Sequence, residues 1–250
     1  MTFKGLIKEI RIMSSDFSYF EDPKFSEKVT IEALKKDEKG YFVLLDQTFF
    51  YPQGGGQPSD QGQLILDDRE IPIVSVRMVD GEVRHYTDQD YGNLSGQQAT
   101  CIIDAEKRSL HSKLHTSGHL ISNIVEELYP VYKALKGHHF PGECYVEFIA
   151  KNGFSDPIDL DFVSQKISEV ISENKAIQTK MIASEDLPKL VPTFPYCVPA
   201  HSSIRIVSIG DFSYQPCGGT HVKTTSELQG LTITKVKIKN KTLKINYTLA

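Results

Sequence analysis

Short runs of alternating apolar and polar residues recur along the first hundred residues, and glycine, aspartate and asparagine separate them. Alternation with a period of two is typical of half-buried β-strands, because successive side chains of a strand point to opposite faces of the sheet. The runs cover residues 28–36, 40–46, 62–68, 71–79, 81–87 and 97–104. Short strands at this spacing predict a small β-barrel or a sandwich.

Apolar residues change to helical spacing at about residue 104. Asp104 is a helix-capping residue, Pro130 ends the pattern, and a second amphipathic stretch covers residues 160–174. Strand-like runs flank both stretches, and the chain ends in a predicted hairpin. We therefore predict an α+β protein with two domains. Residues 1–103 form the β domain, and residues 104–250 form a domain with an antiparallel sheet and two main helices.

A glycine-rich loop, FFYPQGGGQPSDQG at residues 49–62, lies between the second and third predicted strands. Consecutive glycines allow a ligand to approach the backbone closely. Gly55, Gly56 and Gln57 are therefore candidate substrate contacts. A sharp turn of the barrel would also require glycines here, so both interpretations stay open.

Two short stretches each contain two metal-capable side chains four positions apart. LHTSGHLI contains His115 and His119, and QPCGGTHV contains Cys217 and His221. Residues i and i+4 lie on the same face of a helix, so histidines at this spacing can bind one ion. His111 adds a further histidine at the same interval, and spacing alone does not decide which two act together. His115 with His119 is preferred, because Gly118 between them relieves crowding. A cysteine with three histidines suits tetrahedral zinc.

Each pair also has a structural interpretation. Histidines four positions apart on a surface helix are often incidental, and a lone buried cysteine usually acts as a small hydrophobic residue. The first stretch is not the HExxH motif of metallopeptidases, because Thr116 replaces the glutamate that would act as general base. Peptide hydrolysis is therefore disfavoured.

Composition restricts the class of protein. Apolar residues make up 40% and charged residues 24% of the 250 residues, which is the balance of a folded domain. No apolar run approaches the roughly 20 residues of a membrane span. The N-terminus MTFKGLIKEI lacks a signal-peptide core, and four cysteines in this length are not typical of a disulfide framework. We expect a cytoplasmic protein without membrane contact, and the sequence does not determine its oligomeric state.

The chain resembles the editing domain of alanyl-tRNA synthetases in three stretches taken together. They are HTSGH, the downstream GDFSYQPCGGTH and the upstream FFYPQGGGQPSDQG. The chain looks most like the free-standing relatives of that domain, the AlaX-type trans-editing proteins, from about Glu21 to its end. The resemblance implies an N-terminal small β-barrel and a C-terminal α+β editing domain of the kind found in threonyl-tRNA synthetases. It also implies one zinc ion per chain, bound by His115, His119, Cys217 and His221.

The resemblance further implies hydrolysis of mischarged tRNA(Ala), chiefly Ser-tRNA(Ala) and in some members Gly-tRNA(Ala). A pocket built to bind the serine hydroxyl would spare Ala-tRNA(Ala), because such a site strongly rejects a substrate without the hydroxyl. The chain has no room for an aminoacylation domain, so we expect it to act on tRNA that a synthetase has released. Two alternatives are a non-catalytic tRNA-binding module with a structural zinc and an unrelated zinc hydrolase of small esters.

The sequence does not determine the role of the zinc ion or the group that activates water. Three protein ligands would leave a position for water or for the substrate amino group, whereas four would close the ion and make it an organiser of the pocket. Thr116 and Ser117 are candidate catalytic hydroxyls, and the Gly218 and Gly219 backbone is a candidate substrate contact. Gly118 stands where many synthetase editing domains have a threonine linked to serine discrimination, which favours another donor such as Ser117.

Two basic segments are candidate contacts to the acceptor end of tRNA(Ala). Lys235, Lys237 and Lys239 alternate with apolar residues, which places three ammonium groups on one face of a strand. They can follow phosphates, although lysines on an edge strand also protect it from aggregation. His138 in KGHHFPG can stack on the terminal adenosine, although core or loop-surface histidines without that role are equally common. A net charge of −4 argues against indiscriminate nucleic-acid binding.

Overall fold

The computed structural model of the protein describes residues 26–67, 69–150, 157–191, 203–239 and 242–250, and the side chain of Lys239 lies outside the described part. The chain divides into two compact units. The first consists of 59–108 and the described part of 1–53, and the second consists of 54–58 and the described part of 109–250. Strands in the described residues pair in antiparallel fashion, which confirms the predicted α+β class with antiparallel sheets.

The first unit is built on a seven-stranded sheet within the described residues. Its strands are β1 (Ser26–Asp37), β2 (Gly40–Leu45), β3 (Gly62–Leu66), β4 (Arg69–Ile73), β5 (Ser75–Val79), β6 (Glu82–Tyr86) and β7 (Gln98–Ile103), in the order β4-β3-β7-β1-β2-β6-β5. The predicted strand at 71–79 is wrong in one respect, because it is two strands. Val74 separates them; its side chain is exposed and its N–H donates to the Tyr86 carbonyl oxygen at 2.9 Å.

The long helix α1 (Ala105–Leu128) begins in the first unit and continues as part of the second, and a buried ion pair fixes its start. The predicted cap is confirmed, since the Asp104 carboxylate accepts a hydrogen bond from the Lys107 N–H at 3.0 Å. In the first turn, Arg108 Nε donates to Asp60 Oδ1 at 2.8 Å. Both side chains are almost fully buried, so this pair is shielded from solvent and salt.

The second unit contains the remaining elements. They are β8 (Tyr132–His138), β9 (Tyr145–Ala150), α2 (Leu160–Ser172), β10 (Ile177–Ala183), α3 (Leu187–Leu190), β11 (Ser203–Ile209), β12 (Gln215–Pro216), β13 (Leu231–Lys239) and β14 (Thr242–Leu249). The described strands form one sheet in the order β13-β14-β9-β8 and another in the order β10-β11-β12. The two main helices and the final hairpin are confirmed, whereas β8 was missed because YKALKGH lacks a regular apolar alternation.

The four-stranded sheet of the second unit has one buried face and one exposed face. Its buried side chains pack with those of α1 and α2 in one core, and they are Val146, Phe148, Leu243, Ile245 and Tyr247. Register and alternation place four lysines on the opposite face, with Tyr145 and one carboxylate, Glu147, between them. The lysines are Lys136, Lys235, Lys237 and Lys244. The sheet therefore separates an apolar core from a basic surface.

Among the described residues, no helix combines the length and the apolar character that crossing a membrane requires.

Replacing Arg108 by methionine should lower the free energy of unfolding by about 3–5 kcal/mol, because the Asp60 carboxylate would stay buried without its partner. Lys107→Met is the matched control, since Lys107 pairs with Asp104 near the surface and an exposed pair contributes about 0–1 kcal/mol. Urea denaturation followed by circular dichroism measures both values. An equal decrease in the free energy of unfolding in the two variants would contradict the importance assigned to the buried pair.

Candidate metal centre

Four metal-capable side chains of the second unit converge on one point. His115 and His119 project from α1, and Cys217 and His221 come from the turn after β12. The Nε2 atoms of His115 and His119 are 3.3 Å apart, and Cys217 Sγ lies 3.5 Å from His115 Nε2 and 3.3 Å from His221 Nε2. All four ligand atoms lie within 4.8 Å of one another. The two sequence pairs therefore meet, and His115 with His119, without His111, provides the helical half.

These spacings fit a tetrahedral zinc ion. With Zn–N bonds of about 2.0 Å and Zn–S bonds of about 2.3 Å, tetrahedral geometry places two nitrogen atoms about 3.3 Å apart and a sulfur about 3.5 Å from a nitrogen. The three distances given above are close to these values, and the other pairs of donor atoms lie within 4.8 Å. Imidazole and thiolate donors also suit zinc better than calcium or magnesium, which prefer oxygen ligands.

The histidines on α1 have hydrogen-bond partners beyond the group itself. His115 Nδ1 lies 2.7 Å from Gln57 Oε1, and the His119 imidazole hydrogen-bonds to the Gln215 side chain. Partners of this kind orient metal-binding imidazoles and select the tautomer whose other nitrogen can bind the ion. The histidines are thus held in place by residues distant in sequence.

Thr116 determines the tautomer of His221. Its hydroxyl donates to the Ser112 carbonyl oxygen at 2.8 Å, so it accepts from the Nδ1–H of His221, 3.0 Å away. The Nε2 lone pair of His221 is then available to the centre. Ser117 also donates to a backbone carbonyl oxygen, that of Lys113, at 2.8 Å. The hydroxyl protons of both candidate catalytic residues are therefore bound within the helix.

Burial keeps the histidines of the centre neutral. It lowers the pKa of His119 to about 4, and it lowers the pKa values of His115 and His221 well below their usual range, with a further contribution from neighbouring imidazoles. Burial also raises the pKa of the Cys217 thiol, although the Gly219 N–H donates to Sγ at 3.4 Å and acts in the opposite direction. Without a metal, the group consists of three neutral imidazoles and a thiol at pH 7.

Arg205 on β11 fixes the turn that contains Cys217. Its Nη1 donates to the carbonyl oxygens of Cys217 and Gly219 at 3.0 and 2.9 Å, and the Cys217 N–H donates to the Arg205 carbonyl oxygen at 3.0 Å. The guanidinium charge also lowers the pKa of the Cys217 thiol, against the larger effect of burial. Arg205 could not be predicted as part of the site, because one arginine in an apolar strand has no motif of its own.

Three glycines make room for two stacked imidazoles. A Cβ atom on Gly219 would overlap the ring of His115, and a Cβ atom on Gly118 or Gly137 would overlap the ring of His139. The rings of His115 and His139 stack with centroids 4.7 Å apart. Gly118 is therefore required by packing, because the His139 ring fills the space that a side chain at position 118 would occupy.

Of two adjacent histidines, His139 lies beside the centre and His138 lies on the exposed face of the sheet. His139 is buried and its Nδ1 donates to Tyr247 Oη at 2.6 Å, while Tyr247 donates to the Leu114 carbonyl oxygen at 2.8 Å. Burial lowers the pKa of His139 to about 3. His138 instead stacks on Phe140, with centroids 4.4 Å apart. His139 was not predicted to lie at the centre, since strand alternation was the only signal and β8 itself was missed.

The glycines and the glutamine predicted to contact substrate differ in exposure. Gly55 and Gly218 are exposed, and the space around Gly218 is open. Gly56 and Gly219 are packed closely against other groups, and Gln57 is completely buried. Only the first two lie where an external ligand can reach the backbone without rearrangement.

The predicted lysines lie outside the metal centre. Lys235 and Lys237 are exposed on the outer face of β13, whereas the side chain of Lys239 lies outside the described residues. On the same sheet face, Lys244 Nζ lies 3.2 Å from the ring centroid of Tyr145, and His138 stacks on that ring at 5.2 Å. Cations and aromatic rings thus form a continuous patch around β8, β9 and β14.

Two family models match the chain. Residues 204–244 match the threonyl and alanyl tRNA synthetase second additional domain, and residues 11–107 match the class II (A) tRNA synthetases. The N-terminal match ends near the boundary between the two units. The C-terminal match includes the turn with Cys217 and His221 and the strand with the lysines.

Several proteins are similar over most of the chain. The alanyl-tRNA editing protein AlaX-M of Methanosarcina barkeri is 31% identical, over 92% of this chain and 96% of its own length. The editing protein AlaX-L of Pyrococcus horikoshii is 28% identical, over 92% of this chain and 57% of its own length. An alanine–tRNA ligase of Halorubrum lacusprofundi is 29% identical over 80% of this chain, which covers 22% of the ligase. The similarity thus extends along almost all of AlaX-M but only along one part of the ligase.

Zinc binding at pH 7 should release about one proton per ion, because the Cys217 thiol must ionise while the histidines are already neutral. The affinity should then rise about tenfold per pH unit between roughly pH 5 and 8. Calorimetric titration of the metal-free protein in buffers of different ionisation enthalpy measures the number of protons. Cys217→Ala should abolish the release, and two or more protons from the parent would contradict the neutral state of the histidines.

Proposed function

Because the chain belongs to the family of AlaX-type alanyl-tRNA editing proteins, we propose that it hydrolyses mischarged tRNA(Ala) in trans. Ser-tRNA(Ala) is the main candidate substrate and Gly-tRNA(Ala) the second. The observation that supports this most directly is the similarity to AlaX-M over 96% of the length of that protein. The convergence of four metal-capable side chains in one group supports it independently.

One zinc ion per chain would bind His115, His119, Cys217 and His221. Four protein donors within 4.8 Å of one another would fill the coordination sphere of such an ion, which favours a closed ion that organises the pocket. When bound, the ion supplies positive charge and joins α1 to the turn after β12. Around it, the protein's own hydrogen bonds hold each imidazole and the turn in position.

Hydrolysis needs positioning more than a strong nucleophile, because the aminoacyl ester is intrinsically labile. Gly218, exposed next to a zinc ligand, and Gly55 are the backbone positions where the aminoacylated end can approach. Thr116 is assigned to the orientation of His221. Ser117 is completely buried and its proton is bound by the Lys113 carbonyl oxygen, so it could contact the substrate only as an acceptor and only after the residues around it rearrange.

Discrimination against correctly charged tRNA follows from the chemistry of a polar pocket. A site that hydrogen-bonds the serine hydroxyl leaves its own polar groups unpaired when alanine is bound, and such sites reject the analogue by about 10⁴–10⁵. Position 118 has no side chain, and His139 occupies the adjacent space. In this chain, recognition of the hydroxyl therefore relies on groups other than a side chain at position 118.

The exposed face of the four-stranded sheet is proposed to bind the acceptor end of tRNA(Ala). Lys235 and Lys237 stand on it with Lys136 and Lys244, and Lys239 follows the same alternation in sequence. Lysines next to aromatic rings such as those around Tyr145 are typical of surfaces that bind phosphates and stack unpaired bases. His138 is the candidate for stacking on the terminal adenosine.

The two-domain organisation is part of the proposal, with 104–250 as the editing domain and 1–103 as a small barrel. Strands β4 and β5 are the two edges of the seven-stranded sheet, yet only Val74 separates them in the chain. A bent strand that joins both edges supports closure, and closure removes free sheet edges. We expect the activity in the cytoplasm, where aminoacyl-tRNA is used.

The purified protein should release serine from Ser-tRNA(Ala) and leave Ala-tRNA(Ala) intact, with rates that differ by about 10⁴. His119→Ala should lose zinc and activity together, whereas His138→Ala should retain its zinc. Loss of labelled amino acid from the tRNA and metal analysis measure these effects. Tight binding of Ser-tRNA(Ala) without turnover would instead identify a non-catalytic tRNA-binding module, and full activity of zinc-free protein would refute the metal assignment.

The double variant Lys235→Ala, Lys237→Ala should raise KM for Ser-tRNA(Ala) with little change in kcat, because these lysines are proposed to contact phosphate and not the ester. If each contacts one phosphate, the slope of log KM against log salt concentration should fall by about 2. Lys28→Ala with Lys39→Ala removes two exposed lysines of the first unit and is the control of equal charge. Identical kinetics in the two double variants would assign the sheet lysines to solvation alone.

A further inference from the structure

Gln57 is a completely buried amide whose polar atoms all point to the surroundings of the metal centre. Nε2 donates to Thr220 Oγ1 at 2.8 Å, and Oε1 lies 2.9 Å from the Thr220 nitrogen and 2.7 Å from His115 Nδ1. These contacts lie within the second unit, which includes residues 54–58. One side chain therefore contacts both the helix that provides two candidate ligands and the turn that provides the other two.

These hydrogen bonds determine the tautomer of His115. A backbone N–H can only donate, so the Gln57 atom that faces the Thr220 N–H is the amide oxygen. An amide oxygen can only accept, so the proton of the neutral His115 ring is on Nδ1. The free lone pair is then on Nε2, the atom that lies 3.3 Å from His119 Nε2 and 3.5 Å from Cys217 Sγ.

The glycines of the same segment hold Gln57 in this place. Gly54 and Gln57 exchange backbone hydrogen bonds of 3.3 and 2.8 Å across a two-residue turn. Gly55 and Gly56 have φ values of +53° and +79°, and consecutive positive φ values are typical of a type I′ turn, which favours glycine. The Gly56 carbonyl oxygen also accepts a hydrogen bond from the His139 N–H at 2.8 Å. Backbone contacts therefore fix the turn, and the turn directs the amide inward.

We propose that Gln57 is a positioning residue of the metal centre. Its oxygen holds His115 in the tautomer and orientation in which Nε2 can bind zinc, and its nitrogen anchors the amide to Thr220, next to the ligand His221. The inference rests on the zinc site of the proposed function but not on deacylation. It gives the glycine-rich turn a role at the metal, where the sequence alone predicted a substrate contact.

Gln57→Met preserves the size of the side chain and removes both hydrogen-bonding groups. Its zinc affinity, measured by competition with a chromophoric chelator, should be about 10–100-fold weaker than that of the parent protein. Gln57→Glu keeps an acceptor for both N–H groups and should bind zinc about as tightly as the parent. Gln53→Met changes an exposed glutamine four positions earlier and should have no effect. Unchanged affinity in Gln57→Met, or equal losses in Gln57→Met and Gln57→Glu, would overturn the proposal.

A measurement on the parent protein covers the case in which Gln57→Met does not fold. Long-range ¹H–¹⁵N spectra of the zinc-loaded protein should show His115 with its proton on Nδ1. A proton on Nε2, or a protein that binds no zinc, would overturn the inference. If the protein deacylated Ser-tRNA(Ala) normally but its zinc affinity did not depend on Gln57, only this inference would be overturned. If zinc affinity did depend on Gln57 but the protein did not deacylate Ser-tRNA(Ala), only the proposed reaction would be overturned.

Discussion

The convergence of three imidazoles and a thiol on one point, with His115 buried and the other three side chains half-buried, is the constraint on which the second unit depends. Buried polar groups are destabilising unless each has a partner. Here the donor atoms of His115, His119, Cys217 and His221 face one another, at distances suited to a shared ion. The imidazoles also form hydrogen bonds outside the group, to Gln57, Thr116 and Gln215. An arrangement of this kind requires three separate chain segments to arrive in register.

The same constraint explains glycines that appear unrelated in the sequence. Gly118 lies inside α1, where glycine costs about 1 kcal/mol relative to alanine. Its place is nevertheless fixed, because the His139 ring lies where a Cβ atom would be, and that ring stacks on His115. Gly219 faces the ring of His115 in the same way. The local cost in helix propensity is thus offset by tertiary packing, which propensity does not include.

Features that depend on local sequence could be predicted, and features that depend on distant contacts could not. The cap at Asp104, the amphipathic helices and the pairs of ligands four residues apart are properties of short segments. The choice of His115 and His119 over His111 was already favoured by Gly118 and by the family resemblance. The hydrogen bond from His115 to Gln57, in contrast, requires segments far apart in the chain to meet. Strand β8 has too weak an alternation to be recognised, so the inward position of His139 was missed with it. The predicted glycine loop was placed in the first domain, whereas residues 54–58 pack with the second unit.

Strand β14 contributes side chains both to the surroundings of the metal centre and to the lysine-bearing face of the sheet. Tyr247 points inward and accepts a hydrogen bond from His139, and Lys244, an odd number of positions away, points outward over the Tyr145 ring. The pairing of Ile245 with Val146 on β9 fixes this register. A slip by one residue would exchange the two faces, which buries lysine and exposes the apolar set. The hydrophobic pattern that stabilises the sheet therefore also fixes the basic face opposite the core.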